Sequence, residues 1–168
     1  MIPIIILIIS IILDGIFSNF LPYLVNNLSV FTPLLTVVSI FMIYPFYRKN
    51  EKKYFIILFI LGIIYDLLYT NLLFFNGILF LCIGFLSRYI YKNYEVTPLR
   101  LIIYTSIIII SYESLTGIIL AIFRLVPVSI YKVWYKIIHS LILNIIYNEL
   151  IYLILNLIPK KYKKISIN

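Results

Sequence analysis

The sequence predicts an all-α integral membrane protein, with six transmembrane helices in one domain that covers residues 1–168. Hydrophobic residues fill 64% of the 168 positions and charged residues only 12%, a composition that would leave large apolar patches exposed on a soluble domain. Residues 4–9 and 107–110 are apolar at every position, whereas the strands of a membrane barrel alternate apolar and polar residues. Helices of about 20 residues, each crossing a hydrocarbon core about 30 Å thick, are therefore the predicted unit.

Six apolar segments are predicted as spans, at about 2–23, 30–47, 54–69, 77–91, 99–123 and 133–158. The first segment lacks a basic region and a small-residue cleavage site, so we expect a retained span rather than a cleaved signal peptide. It closes at the polar pair Asn26 and Asn27. Pro33 and Pro45 lie near the ends of the second segment, where a helix tolerates proline best. The short uncharged stretch 70–76 predicts a tight hairpin between the third and fourth segments.

The basic residues predict the orientation of these spans. Eleven of the 14 Lys and Arg residues follow the second segment, the fourth segment and the sixth segment, and three follow the fifth. The positive-inside rule then places both chain termini in the cytoplasm, which indicates a multi-pass protein of a bacterial cytoplasmic membrane. The net charge of +8 is interpreted as topology and contact with anionic lipids, not as a nucleic-acid surface.

Three acidic residues lie inside odd-numbered predicted spans. Asp14, Asp66 and Glu113 each come about 12 to 14 residues after the cytoplasmic start of a span, which corresponds to a common depth of roughly 18 to 21 Å. Their spacings of 52 and 47 residues hint at a duplicated helical hairpin. Because ionisable side chains are costly in a membrane, these residues are candidates for a polar cluster, a partner contact or a pocket. The alternative is chance placement, with each side chain satisfied by its neighbours.

The sixth segment carries a second polar group, formed by Asn144, Asn148 and Glu149. Asn144 and Asn148 are one helical turn apart and share a face, so they are expected to form hydrogen bonds between helices. A stripe that packs the bundle is the favoured interpretation over a functional site. Gly117 and Ala121 form a small-xxx-small pair, which predicts a close contact between helices.

Catalytic and metal-binding patterns are missing from the sequence. It contains no glycine-rich phosphate loop and no G-x-S-x-G motif, and His139 is the single histidine. Cys82 is the single cysteine, so neither a disulfide nor a cysteine metal site is possible within the chain. Asp14 and Asp66 could form an intramembrane aspartyl pair, but neither lies in a recognisable catalytic motif. We therefore predict that the protein is not an enzyme and has no metal or cofactor.

Several local patterns occur together along the chain. Phe31-Thr32-Pro33 opens the second span, Gly62 is followed by Tyr65-Asp66-Leu67, Gly77 begins the fourth span, and Asn144 lies in the last span before a basic tail. In this order, with the six-span plan and the length, they resemble the family of the bacterial rod-shape-determining protein MreD over essentially the whole chain. Gly62 and Gly77 are expected at close helix contacts. Glu149 departs from the pattern, because many members have an apolar residue or proline there.

The resemblance implies a non-enzymatic scaffold or adaptor of the cell-wall elongation machinery, which maintains rod shape. The implied partners are the bitopic protein MreC, filaments of actin-like MreB, and the peptidoglycan polymerase and transpeptidase complex. An alternative resemblance is to the substrate-binding components of energy-coupling-factor vitamin transporters, six-helix membrane proteins of similar size whose fold the MreD family is thought to share. Under that alternative Asp14, Asp66 and Glu113 would line an outward-facing ligand pocket.

Overall fold

A computed structural model describes residues 2–25, 33–70, 72–124 and 130–157. These residues form six α-helices: α1 (Ile2–Val25), α2 (Leu35–Tyr47), α3 (Glu51–Tyr69), α4 (Phe75–Asn93), α5 (Pro98–Ile122) and α6 (Ile130–Leu157). The all-helical prediction is thus confirmed. Three of the helices are long and apolar enough to cross a membrane, over Ile2–Phe20, Pro98–Ile122 and Val133–Asn156.

Helix α2 is the centre of the bundle. It packs against each of the other five helices, and every residue from 35 to 44 is buried, which explains why the helix is apolar on all sides. Its 13 residues span about 20 Å at 1.5 Å per residue, which is shorter than a hydrocarbon core of about 30 Å. The predicted start near residue 30 was therefore too early for the helix, although residues 30–32 lie outside the described part of the chain.

Hairpin α3–α4 is closely packed because glycines allow the backbones to approach. A Cβ atom added to Gly62 would lie 2.5 Å from both the Cα and the backbone N of Gly77, a distance at which no side chain fits. A less restrictive contact occurs at Gly84, where an added Cβ would collide with a methyl group at the flexible end of the Leu58 side chain rather than with backbone. The hairpin turn lies within the predicted stretch 70–76, between Tyr69 and Phe75.

Helices α3, α4, α5 and α6 begin one to three residues before the predicted spans, and polar side chains cap the starts of α3 and α5 outside the apolar runs. The Asn50 side chain accepts the N–H of Lys53 at 3.2 Å at the start of α3. The Thr97 hydroxyl accepts the N–H of Arg100 at 3.4 Å at the start of α5. Such caps satisfy N–H groups that have no partner within the helix.

The described basic residues of α2–α5 and their connections gather at one end of the bundle, here called the basic end: Arg48, Lys49, Lys52, Lys53, Arg88, Lys92 and Arg100. Glu51 lies among them. Its carboxylate is 2.8 Å from the Lys92 ammonium and 3.1 Å from the Arg88 guanidinium, and it accepts a hydrogen bond from Tyr44 Oη at 3.0 Å. The bond from Lys92, together with the charge of Arg88, holds the pKa of Glu51 below its usual value of 4.5. This ionic cluster joins α2, α3 and α4.

Candidate functional site

The Asp14 carboxylate caps the start of α2. Asp14 lies in the middle of α1 and is 2% exposed, and its two oxygens accept the N–H groups of Leu35 at 2.8 Å and Thr36 at 3.0 Å. The first turn of a helix has N–H groups without partners and a partial positive charge, and both favour a carboxylate. Asp14 is therefore an N-terminal cap supplied by a different helix, which gives a buried carboxylate a structural role.

The Asp66 carboxylate does the same at the start of α4. Asp66 is fully buried, and it accepts hydrogen bonds from the backbone N of Asn76 at 3.0 Å, from Asn76 Nδ2 at 2.8 Å and from Thr70 Oγ1 at 2.8 Å. In both cases an aspartate on an odd-numbered helix holds the first turn of the next helix. The similar settings of Asp14 and Asp66 in the sequence thus correspond to equivalent contacts.

Helix α6 supplies a further contact to the start of α2. Asn144 Oδ1 accepts the N–H of Leu34 at 2.9 Å, and Asn144 Nδ2 donates to the carbonyl of Ser140 at 2.6 Å. One turn later, Asn148 Nδ2 donates to the hydroxyl of Thr105 on α5. Both asparagines are buried on one face of α6, where they join that helix to α2 and α5.

A polar centre forms around Asp66, Asn76 and Tyr112. Tyr112 Oη on α5 donates to Asn76 Oδ1 at 2.8 Å, which connects α5 to the Asp66 cap. Helices α3, α4 and α5 therefore all contribute polar groups to this centre.

Glu113 differs from the two aspartates, because within the described residues no donor forms a hydrogen bond to its carboxylate. Its side chain is only 5% exposed, and its one favourable electrostatic partner is Lys136 on α6. Burial of a carboxylate without hydrogen bonds is costly. Among the described residues, the charge of Lys136 is therefore what offsets the burial of Glu113.

Glu149 lies away from this centre. At 100° per residue its side chain falls between Ile142, Ile146 and Leu153, which are all exposed on the outer face of α6. The Oε1 atom of Glu149 is buried and has no hydrogen-bond partner in the described chain. The sequence grouped Glu149 with Asn144 and Asn148, but the structure separates it from them.

The two residues of the small-xxx-small pair differ in burial. Gly117 is buried in α5, whereas Ala121 is exposed. Ala121 therefore lies on the surface of the described bundle, and the close helix contact predicted for this pair stays a prediction.

Two features of the site were missed by the sequence reasoning. Asn76 and Tyr112 are central to the network around Asp66, and the signal that could have found Asn76 is its place beside Gly77 at a helix start, where asparagine is a favoured cap. Ser10 was also missed, and its hydroxyl lies 2.5 Å from that of Ser39 and 2.8 Å from Tyr147 Oη. These bonds tie α1, α2 and α6 together.

His139 takes part in local packing. Its Nδ1 lies 2.7 Å from the carbonyl oxygen of Tyr135, and the two rings are 3.9 Å apart between centroids. Across the ranges that the structure describes, no three His, Cys, Asp or Glu side chains are close enough to hold a metal ion.

No protein-family model, curated protein or solved structure matches this chain.

Proposed function

We propose that this protein is a non-enzymatic membrane adaptor of the bacterial cell-wall elongation machinery, and that it binds its partners through helix faces and short loops. The observation that carries the proposal is the use of the buried carboxylates Asp14 and Asp66. Both accept backbone N–H groups of a neighbouring helix, so they hold a fixed bundle. A rigid bundle with apolar outer faces suits a protein that positions other membrane proteins.

The residues on which the resemblance to the MreD family rests support the same proposal. Asp66 caps α4, Gly62 approaches the backbone of Gly77, and Asn144 accepts the N–H that precedes α2. Pro33 is buried directly before that helix start, while Phe31 and Thr32 lie outside the described residues. The motif positions thus coincide with the two capped helix starts, so they contribute to the fixed bundle on which the proposal depends.

In this proposal all six helices lie in the cytoplasmic membrane, and the basic end faces the cytoplasm. Eleven basic residues would then lie near anionic headgroups, each contributing about 1 kcal/mol of attraction at the surface. MreC, MreB and the peptidoglycan polymerase and transpeptidase complex are the proposed partners. MreC, as a bitopic protein, would meet the bundle laterally.

Affinity purification in a mild detergent tests this function. We expect the tagged protein to co-isolate MreC and wall-synthesis enzymes, and its depletion to make rod-shaped cells round. Normal cell width after depletion, with no wall-synthesis protein in the eluate, would contradict the proposal.

A variant of Asp66 tests the link between the fold and the function. We expect Asp66→Leu to insert but to impair cell shape even when its expression is raised to wild-type abundance, because the start of α4 loses its cap. The matched control is Glu95→Leu, which removes an exposed carboxylate at the basic end. Rod morphology in cells that carry Asp66→Leu at wild-type abundance would refute this link.

A second candidate function is suggested by Glu113. Glu113 is a buried carboxylate to which no described residue donates a hydrogen bond and whose electrostatic partner is Lys136, so a cationic group of a small ligand would supply the missing donor. This favours the alternative, a substrate-binding subunit of a vitamin-type transporter. Co-isolation of an ATP-binding cassette module instead of wall-synthesis proteins, and stabilisation by a small ligand that Glu113→Gln abolishes, would support it.

A further inference from the structure

The outer face of α6 combines an apolar stripe with one carboxylate. Ile138, Ile142, Ile146, Leu150 and Leu153 are each more than half exposed on this face. Glu149 lies among them, one turn before Leu153 and two turns after Ile142. In membrane helices an acidic side chain almost always faces the bundle interior or a water-filled cavity. The position of Glu149 on the outer face is thus unusual for an acidic side chain whose partners lie within its own chain.

The hydrogen-bonding state of Glu149 supports this conclusion. Its Oε1 atom is buried, yet the described chain offers it no donor, so rotation of the side chain toward the outer face would break no hydrogen bond at that atom. The neighbouring Asn148 donates to Thr105 and cannot serve Glu149 as well with the same N–H. Glu149 also lies inside the apolar span Val133–Asn156, seven residues or about 10 Å before its end, which places it within a hydrocarbon core about 30 Å thick.

We propose that the outer face of α6 around Glu149 binds a transmembrane helix of another protein, and that this helix carries a lysine or arginine that pairs with Glu149. Charge complementarity identifies the occupant. A cation compensates an ionised carboxylate in the membrane, and the apolar stripe of α6 packs against the rest of the helix. This inference rests on the proposed role as an adaptor and specifies the chemistry of its lateral partner.

Synthetic helices test the inference without any wall-synthesis protein. The full-length protein is labelled in detergent with a fluorescent donor at its single cysteine, Cys82, which is exposed, and is then reconstituted into phosphatidylcholine vesicles. The probes are two acceptor-labelled, tryptophan-flanked polyleucine peptides, one with a central lysine and one without. Neutral lipid keeps the bilayer surface from attracting the lysine peptide.

We expect the lysine peptide to bind the wild-type protein about 3- to 20-fold more tightly than the leucine peptide, as measured by energy transfer, which is the range expected for one polar contact between membrane helices. In Glu149→Leu and Glu149→Gln this preference falls below about twofold, because the charge is gone. Glu95→Gln, which removes an exposed carboxylate, keeps it. Because Glu149→Leu extends an apolar face, we expect it to fold like the wild-type protein, with an unchanged elution volume.

Two results would overturn the inference. One is equal binding of both peptides by the wild-type protein, or a preference that survives in Glu149→Leu. The other concerns copies of the protein labelled at Cys82 with either donor or acceptor and mixed without peptide. Energy transfer between these copies that Glu149→Leu abolishes would show that a second copy occupies this face. Either result leaves the cell-wall proposal to be decided by its own co-isolation experiment.

Discussion

Replacing Asp66 with alanine removes the acceptor of three hydrogen bonds at the start of α4. The backbone N–H and the Nδ2 group of Asn76 both donate to Asp66, and each buried donor left without an acceptor costs about 1 to 3 kcal/mol. The Thr70 hydroxyl adds little, because it can turn to the carbonyl of Leu72, 3.4 Å away. We therefore expect the free energy of unfolding to fall by about 2 to 5 kcal/mol in Asp66→Ala.

Asp66→Asn separates the charge from the shape of the cap. An asparagine oxygen still accepts the Asn76 N–H, but the favourable interaction of a negative charge with the helix start is lost, so we expect a loss of about 1 to 2 kcal/mol. The assay is unfolding by sodium dodecyl sulfate in mild detergent micelles, followed by far-ultraviolet circular dichroism. Glu95→Ala is the control, because Glu95 is exposed.

Two results would refute the reasoning on Asp66. If Asp66→Ala unfolds within about 0.5 kcal/mol of Glu95→Ala, the buried donors of Asn76 are not held by this carboxylate. If Asp66→Asn is as unstable as Asp66→Ala, the shape of the cap contributes nothing and the charge alone matters.

Three other predictions concern the hairpin, the ionic cluster and the orientation. Gly62→Ala should lower the free energy of unfolding by about 1 to 3 kcal/mol, because its Cβ would meet the Gly77 backbone at 2.5 Å; a stability assay in detergent measures this. For Glu51, whose pKa is lowered on folding, the ion pairs stabilise the protein fully above about pH 4.5 and are lost as the pH falls through the lower, folded pKa. Between about pH 6 and about pH 3, the free energy of unfolding should therefore fall slightly less in Glu51→Gln than in the wild-type protein, with a difference under about 1 kcal/mol. Thermal unfolding at the two pH values measures this difference. In the double variant Cys82→Ala/Asn50→Cys, the one cysteine should react with impermeant thiol reagents only from the cytoplasmic side.

Each of these predictions has its own control. Gly77→Ala should be tolerated, because the nearest atom to its added Cβ is a ring carbon of Phe59 at 3.4 Å, and equal losses at Gly62 and Gly77 would argue against the packing explanation. Parallel pH curves for Glu51→Gln and wild type would show that the cluster around Glu51 does not respond to acid. Labelling of the Asn50→Cys double variant from outside intact cells would reverse the proposed orientation.

The helices could be predicted from the sequence because run length and composition act locally. Each predicted span overlaps one helix, and the errors lie at the ends, as at Glu51 and Pro98, where the caps Asn50 and Thr97 extend the helix beyond the apolar run. A polar cap is a local signal that a count of apolar residues does not use. Six membrane spans and their orientation remain predictions.

The sequence predicted which residues form the candidate site but not which groups they contact. Asp14, Asp66 and Glu113 were chosen because ionisable side chains are costly within apolar segments, and that cost depends only on residue type and surroundings. Whether such a side chain caps a helix start or stays without a donor depends on which other helix packs beside it. Asp14 and Asp66 accept N–H groups at the starts of neighbouring helices, while the described residues offer Glu113 no hydrogen-bond donor.

The amino-acid sequence by itself determined that the chain is helical and apolar, where its helices lie and which buried positions carry charge, because these properties follow from local periodicity and composition. Only the tertiary structure decided that α2 is a short, fully enclosed helix, that Asp14 meets an N–H 21 residues away, and that Ala121 is exposed. It also decided that Asn148 faces the bundle and Glu149 its outside. The physical reason is that hydrogen bonds and burial between helices depend on the rotation and offset of each helix against its neighbours, which no single segment encodes.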